Sequence, residues 1–376
     1  MKIKYIIYNG LDKYPPCFSQ IRMLKKLNYD IEVIYGNCAP STLETLKADN
    51  IKLTNIKYVK EENISKLEKM KRIYSFRNNL TKYLKTFDDN TLIWFGNAES
   101  AIVMKGKLKN KKYIISLLEL YDDKDKFRGK LLHGLVENAL MVTVCEETRG
   151  YLVRHWYNLD YLPTVFPNKA YEQIEDRRHK PSNELTKKII DTIKNDKVII
   201  YQGIIFKTDE LIETAKALKE LNKGYKLVLM GMDKENVFQY IKKIYDNTVF
   251  FEYVPAPLHL EITSYARIGV LFYRSNKLNN AYCAPNKIYE YSGFGIPIIG
   301  NYIPGLNNTI GKAGAGICVK LSKENIKNAI LEIENNYESF SKNAKRFFES
   351  CDNLKTMKEF MTNIELEMVG KNEEND

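Results

Sequence analysis

The stretch Asn280-Ala-Tyr-Cys-Ala-Pro-Asn-Lys-Ile-Tyr-Glu-Tyr-Ser-Gly-Phe-Gly-Ile-Pro-Ile-Ile-Gly300 reads as a short helix running into a short strand. Pro285 suits the first turn of a helix, where its missing N–H costs nothing. Gly293 or Gly295 can stop that helix and Pro297 prevents its continuation, so it spans about Pro285 to Ser292. Lys287 falls in the first turn, where free amides and the helix dipole favour an anion, and Glu290 shares its face three residues on. A cation and free amides at one end, with a carboxylate one turn deeper, match a nucleoside diphosphate: the diphosphate meets the helix end and Lys287, and the ribose hydroxyls donate to Glu290. An ordinary Lys–Glu pair on a solvated helix is the alternative.

Outward from this stretch, strands and helices alternate in both directions. Lys197–Gln202 reads as a strand ended by Gly203, Thr208–Leu221 as an amphipathic helix, and Tyr225–Met230 as a strand ended by Gly231. Thr248–Val254, Ile268–Tyr273, Ile296–Gly300 and Gly316–Val319 are further strands, Ser322–Met368 is helical, and Gly370–Asp376 reads as a frayed end. The first half has the same rhythm: strand Ile3–Tyr8, a turn at Asn9-Gly10, helix Ser19–Leu27, then strands Asp30–Tyr35, Leu53–Val59, Thr91–Phe95, Tyr113–Leu118 and Met141–Cys145. A polar stretch from Glu172 to Asn183 is the candidate connection between the halves. The pattern predicts an α/β protein of two doubly wound, Rossmann-like domains facing a cleft, spanning 1–175 and 176–352, with 353–376 a C-terminal helix that returns to the N-terminal domain and a tail. Ligands in such sheets sit beyond the carboxyl ends of the strands.

The length of 376 residues suits two domains, and 44% hydrophobic with 28% charged residues excludes a disordered or fibrous chain. The six cysteines form no close pair, so neither a redox motif nor a zinc knuckle is present, and a reducing cytoplasm is expected. No apolar run is long enough to span a bilayer, and Met1–Tyr8 reads as a first strand rather than a signal peptide. His133, His155, His179 and His259 show no ligand spacing, so no metal site is expected from them. The net charge of +11 is lopsided: residues 1–180 hold 32 Lys and Arg against 22 Asp and Glu, residues 181–376 hold 26 against 25. The densest run is Lys66, Lys69, Lys71, Arg72, Arg77, Lys82 and Lys85, interleaved with Ile73, Phe76, Leu80, Leu84 and Phe87 at helical spacing. A second run is Lys105, Lys107, Lys109, Lys111 and Lys112. Such a face attracts an anionic bilayer, a lipid diphosphate or nucleic acid, or is simply a solvated helix face.

The Asn280–Gly300 stretch resembles the donor-binding motif of retaining glycosyltransferases of the GT-B fold, specifically the large family 4, at Pro285, Lys287, Glu290, Gly295, Pro297, Ile298 and Ile299. Further resemblances follow in family order. Ile199–Gly203 with Leu211–Ala215 looks like the strand, loop and helix that open the donor domain, and Leu227–Gly231 like its next strand. Phe250–Val254 looks like the strand whose exit, at Tyr253 and Val254, contacts the base, and Tyr265–Leu271 like the helix end and strand after it. The resemblance implies a donor site made of Gly203, Tyr253, Val254, Tyr282, Cys283, Ala284, Pro285, Asn286, Lys287 and Glu290, with Lys287 and Lys207 neutralising the leaving diphosphate. Thr143–Arg149 and Val165–Asn168 are similar to the closing strand, next helix and hinge asparagine of the acceptor half; Asn9, Gly10 and Asn97 fall on the acceptor side, and Glu119 stands where a catalytic side chain faces the transferred sugar. A carboxylate at a strand end equally caps a turn, and Lys207 near a helix start can equally be solvated.

Three departures stand out. Tyr282 occupies the place of the first of two glutamates that the family often spaces eight apart, Lys207 alone remains of an Arg…Lys pair, and Asn9-Gly10 replaces a glycine pair. The resemblance implies a metal-independent enzyme that needs no cofactor, takes a nucleotide-sugar donor and a glycan or lipid-diphosphate-linked acceptor, and attacks from the front side with the leaving phosphate's help. A basic acceptor half hints at cell-surface polysaccharide assembly, in the cytoplasm at the inner face of an anionic membrane. Alternatives are a metal-dependent GT-A enzyme using Asp123-Lys124-Asp125, a nucleotide-sugar epimerase, or a nucleic-acid-binding protein. The last lacks zinc-finger spacing and an RRM aromatic pattern, so no nucleic-acid partner is expected.

Overall fold

Segments such as Thr91-Leu-Ile-Trp-Phe95 and Tyr113-Ile-Ile-Ser-Leu117 are apolar at nearly every position, as suits parallel strands covered by helices on both faces. The structure, a computed structural model that describes residues 1–8, 10–56, 65–121, 126–206 and 209–373, buries all five residues of each. The chain divides into two compact units, Met1–Tyr171 with Asp352–Asp376, and Glu172–Cys351.

The first unit contains β1 (Lys2–Ile7), α1 (Pro15–Lys26), β2 (Asp30–Tyr35), α2 (Pro40–Ala48), β3 (Lys52–Asn55), α3 (Lys66–Leu84), β4 (Thr91–Phe95), α4 (Ala98–Val103), β5 (Tyr113–Leu117), α5 (Lys126–Glu137), β6 (Met141–Val144), α6 (Glu147–Trp156) and β7 (Thr164–Val165). The second contains α7 (Glu184–Ile193), β8 (Lys197–Ile205), α8 (Asp209–Leu221), β9 (Tyr225–Asp233), α9 (Val237–Ile244), β10 (Thr248–Phe251), α10 (His259–Thr263), β11 (Ala266–Leu271), α11 (Leu278–Ala281), α12 (Asn286–Gly293), β12 (Ile298–Asn301), α13 (Pro304–Leu306), β13 (Gly316–Val319), α14 (Lys323–Asn335) and α15 (Tyr337–Ser350). A last helix, α16 (Asn353–Glu373), belongs to the first unit. Its Met357, Phe360, Met361 and Ile364 enter that unit's core, where the Phe360 ring lies 5.6 Å from those of Trp94 and Phe166.

Both sheets are parallel, in the orders β3-β2-β1-β4-β5-β6-β7 and β10-β9-β8-β11-β12-β13. Each is wound outward twice from its middle, so the winding direction reverses between β1 and β4 in one and between β8 and β11 in the other. A crevice opens at the carboxyl ends of the strands at such a reversal.

Two local expectations change. Gly203 and Gly231 do not end their strands; they face each other within β8 and β9, which continue to Ile205 and Asp233. A Cβ on Gly231 would stand 1.7 Å from the carbonyl oxygen of Gly203, so the glycines mark a close backbone approach rather than a stop. Helix α1 begins at Pro15, four residues before the expected Ser19, because prolines tolerate the first helical positions.

One carboxylate is built into the first sheet. Glu32, on β2, accepts from Lys4 at 2.5 Å, from Tyr83 at 2.8 Å and from the Thr54 hydroxyl, with Lys52 at 3.3 Å. Burial pushes its pKa up, but the bonds from Lys4, Thr54 and Tyr83 outweigh burial and bring it down to about 2. A folded-state value below the unfolded one contributes stability above the unfolded pKa, lost as pH falls toward 2. Glu32→Gln is therefore expected to cost about 2 kcal/mol in urea unfolding at pH 7. The gap between variant and wild type should shrink as the pH is lowered through 4 to 3; a gap independent of pH would show that the charge is not what stabilises.

Candidate functional site

Helix α12 opens at Asn286 with Pro285 just outside it, φ −76° and ψ 142°, one position earlier than the sequence reading placed the proline. Pro285 offers no side-chain cap to the first amides of α12. The other end is fully closed. Gly295, at φ +63°, donates to the Ser292 carbonyl at 2.8 Å, and Ile296 donates to that of Tyr291 at 3.0 Å. This is a Schellman motif, which needs a left-handed residue and finds it in glycine. Gln173 adds Nε2–H bonds to the carbonyls of Tyr289 and Glu290 at 3.2 and 3.3 Å. The capped end anchors the helix and the uncapped end is left for something else.

Lys287 extends from the uncapped end across Gly203. A Cβ on Gly203 would lie 3.0 Å from Lys287 Nζ, and the φ of +127° is itself one that side chains avoid. The ammonium thus rests on bare backbone at the carboxyl end of β8, on the reversal side of the sheet. Burial pushes its pKa below the ordinary lysine value, and the charge of Glu290 opposes that only in part. Among the described residues no carboxylate lies within salt-bridge distance of Nζ.

Glu290 is occupied elsewhere. Its Oε2 accepts from Gln202 Nε2 at 2.5 Å, and its Oε1 faces His259 Nε2 at 3.5 Å. The Thr263 hydroxyl lies 2.8 Å from Gln202 Oε1, which turns the amide nitrogen toward Glu290. Burial raises the Glu290 pKa, but His259, Lys287 and Gln202 together hold it below the ordinary carboxylate value. Gln202 and His259 are absent from the sequence-derived site. Gln202 had a signal, its place beside Gly203 in the strand; His259 had none, since the packing of α10 against α12 brings it in.

The remaining donor-side expectations fall into three groups. Cys283 and Ala284 are buried in the turn before α12, and Asn286 is its half-buried first residue. Tyr282 closes the four-residue helix α11. Beyond β10, Val254 is buried while Tyr253 is 63% exposed. Lys207 lies outside the described residues, as do Asn9 and the Asp123-Lys124-Asp125 run. Among the described residues no cluster of three or more potential metal ligands is present.

In the first unit, Gly10 and Asn97 follow β1 and β4, the strands that flank the reversal. Asn97 Oδ1 caps α4, accepting from the Ser100 amide at 2.9 Å and hydroxyl at 2.6 Å. Glu119 is exposed beyond β5. Close by, Tyr121 donates to Glu99 Oε1 at 3.0 Å. The basic helix is the expected amphipathic one, α3. Phe76, Leu80 and Leu84 of its apolar stripe are buried in the core, and Arg77 spends its guanidinium on the carbonyls of Val103 and Lys105 at 2.6 and 2.8 Å. A different apolar set, Leu67, Met70 and Tyr74, is 63–67% exposed on α3, with Lys69, Lys71, Lys82 and Lys85 also exposed.

No protein-family model matches the sequence, and no curated protein matches it. Solved structures do. HepE from Anabaena, in complex with UDP and glucose, is similar at a TM-score of 0.68 and 11% identity, covering 97% of this chain and 99% of that one. Sucrose-phosphate synthase from Thermosynechococcus elongatus gives a TM-score of 0.69 at 13% identity, covering 99% and 100%. A Listeria monocytogenes protein proposed to be a UDP-N-acetylglucosamine 2-epimerase gives 0.59 at 14%, covering 92% and 91%. At such identities the likeness establishes the fold: the chain has the GT-B architecture, two doubly wound Rossmann-like domains with a C-terminal helix.

Proposed function

We propose that this protein is a glycosyltransferase that moves a sugar from a nucleoside-diphosphate sugar to a glycan or lipid-linked glycan, with retention of anomeric configuration. The observation that carries the reading is the Lys287 ammonium: desolvated, unpaired by any described carboxylate, and set at an uncapped helix end with a held carboxylate one turn on. A diphosphate fits the ammonium and the amides; ribose hydroxyls fit Glu290. HepE, solved with UDP and glucose, and sucrose-phosphate synthase, by its name, support the choice of a sugar-transfer reaction.

In the reaction the bond from the sugar's C1 to the diphosphate oxygen breaks, and the acceptor hydroxyl oxygen bonds C1 on the same face. The hydroxyl proton passes to the leaving phosphate oxygen. Lys287, the α12 amides and, by family resemblance, Lys207 stabilise the charge that develops on the diphosphate. Glu119 is the proposed carboxylate toward the acceptor.

Incubating the protein with UDP-, GDP-, ADP- and CMP-sugars and membrane-derived acceptors should give acceptor-dependent sugar transfer, with the product's anomeric proton coupling matching the donor's. Turnover should survive EDTA. Loss in EDTA with rescue by Mn²⁺ would favour the Asp123/Asp125 metal reading, and donor conversion without acceptor would favour an epimerase.

Glu290→Gln keeps the shape and removes the charge. It should weaken binding of the preferred nucleoside diphosphate about tenfold or more in calorimetry, the worth of charge-assisted bonds of roughly 1.5–3 kcal/mol. Unchanged affinity in the folded variant would remove Glu290 from the site.

The acceptor side is proposed to work at an anionic membrane surface on the cytoplasmic side, reached through α3. At about 100° per residue, Leu67, Tyr74, Lys71, Lys82 and Lys85 fall on one exposed side of the helix. Each lysine near such a surface contributes about 1 kcal/mol. No helix among the described residues is long and apolar enough to cross a membrane. Sedimentation with anionic vesicles should be strong at low salt, weaken with added salt, and fall when Lys71, Lys82 and Lys85 become Gln, with nucleotide binding unchanged. Equal sedimentation of wild type and variant would refute the lysine contribution.

A further inference from the structure

We propose that His259 is a positioning residue for Glu290, donating from Nε2 to one carboxylate oxygen while Gln202 donates to the other, so that each oxygen keeps a lone pair aimed at one hydroxyl of a ribose diol. The inference rests on the nucleotide-sugar reading of the site and adds to it a residue that no sequence motif marks.

The geometry is specific. His259 is the first residue of α10 and its Nε2 stands 3.5 Å from Glu290 Oε1; Gln202, from β8, is 2.5 Å from Oε2. The ring's other nitrogen, Nδ1, is buried and has no hydrogen-bond partner among the described residues. A carboxylate only accepts, so with the proton on Nδ1 the Nε2 lone pair would face the Glu290 oxygen; the proton belongs on Nε2, facing the carboxylate. The groups around Glu290 come from three elements: Gln202 on β8, His259 on α10, and Lys287 and Tyr291 on α12 itself. Lys287 acts on Glu290 through its charge without pairing with it. Among the described residues, Gln202 and His259 are the side chains placed to fix the two oxygens, and they approach from different elements. A carboxylate held at both oxygens cannot rotate about its terminal bond. Its remaining lone pairs are then fixed in direction, which suits two adjacent hydroxyls and penalises a sugar lacking one.

His259→Gln retains a donor near the Nε2 position; His259→Leu removes it. The readout is the ratio of affinities for UDP, ADP and GDP over their 2′-deoxy counterparts, by calorimetry, together with the titration of Glu290 followed by carbonyl-carbon NMR in the ligand-free protein. Wild type should prefer the ribonucleotide about tenfold, His259→Leu should reduce the preference to about two- or threefold and raise the Glu290 titration midpoint, and His259→Gln should restore the preference. If wild type binds none of the nucleotides, the nucleotide-sugar reading falls and this role falls with it. If wild type discriminates and His259→Leu discriminates equally, or both variants lose discrimination alike, the positioning role is wrong and the nucleotide reading stands.

Discussion

A lysine ammonium taken partly out of water, with no carboxylate at salt-bridge distance among the described residues, is an expensive arrangement, and the backbone of β8 beside it is glycine. A side chain at Gly203 would crowd Lys287 where it lies: a Cβ there would stand 3.0 Å from Nζ, and the φ of +127° is itself one that side chains avoid. Gly203 in turn holds an unusual backbone, and its carbonyl fills the space that a Cβ on Gly231 would need. The paired glycines let β8 and β9 run on past the crevice instead of stopping at it. Desolvation lowers the affinity of the ammonium for its proton. A doubly charged ligand oxygen cluster would reverse that, since an opposite charge in a poorly solvated place interacts far more strongly than in water.

The same arrangement explains why the neighbouring carboxylate does not quench the charge. Glu290 is one turn away on the same helix and could have paired with Lys287 across that turn. Its oxygens instead face Gln202 Nε2 and His259 Nε2, on β8 and α10. Two opposite charges are thus kept apart on one helix face. A ligand that carries an anion at one end and hydroxyls at the other satisfies both, whereas a simple anion satisfies only the first. The Schellman end of α12, its bonds from Gln173 and the buried Ile288 and Tyr291 hold the helix to the tolerance that this division requires.

What could be read from the sequence is what acts locally. Pro285, Gly295 and Pro297 set the limits of α12 through backbone rules, and Lys287 and Glu290 follow from helical spacing. The alternation of strands and helices carried the two-sheet architecture for the same reason. Gln202 and His259 reach Glu290 from 88 and 31 residues away, a matter of which strand lies beside which helix, so no spacing rule could find them. The glycines of β8 and β9 misled because a glycine marks either the end of a strand or a close approach within it, and the register that decides between them is a tertiary property. Glu32 had no local sign either, because its partners Lys4, Thr54 and Tyr83 come from three other elements.

The charge asymmetry shows the same limit in a different form. A count of lysines and arginines measures a field, but not which charges are available to a partner. Arg77 closes the end of α4, Lys105 bonds the carbonyl of Leu131 at 2.7 Å, Lys111 that of Phe87 at 3.1 Å, and Lys112 that of Met368 at 3.0 Å. These residues hold helices and chain ends together, and removing them would disturb the fold before it disturbed any surface. Lys71, Lys82 and Lys85 are exposed, and on the same helix Leu67, Met70 and Tyr74 face outward beside them. Long-range attraction still includes every cation, buried or not, because the field adds at a distance. Short-range contact belongs to the exposed subset alone, and its apolar members add a term that salt does not screen. A surface held by both terms would lose its attraction to distant charge as salt is raised while keeping part of its hold at contact, so the exposed apolar residues, more than the net charge, separate a docking face from a solvated one.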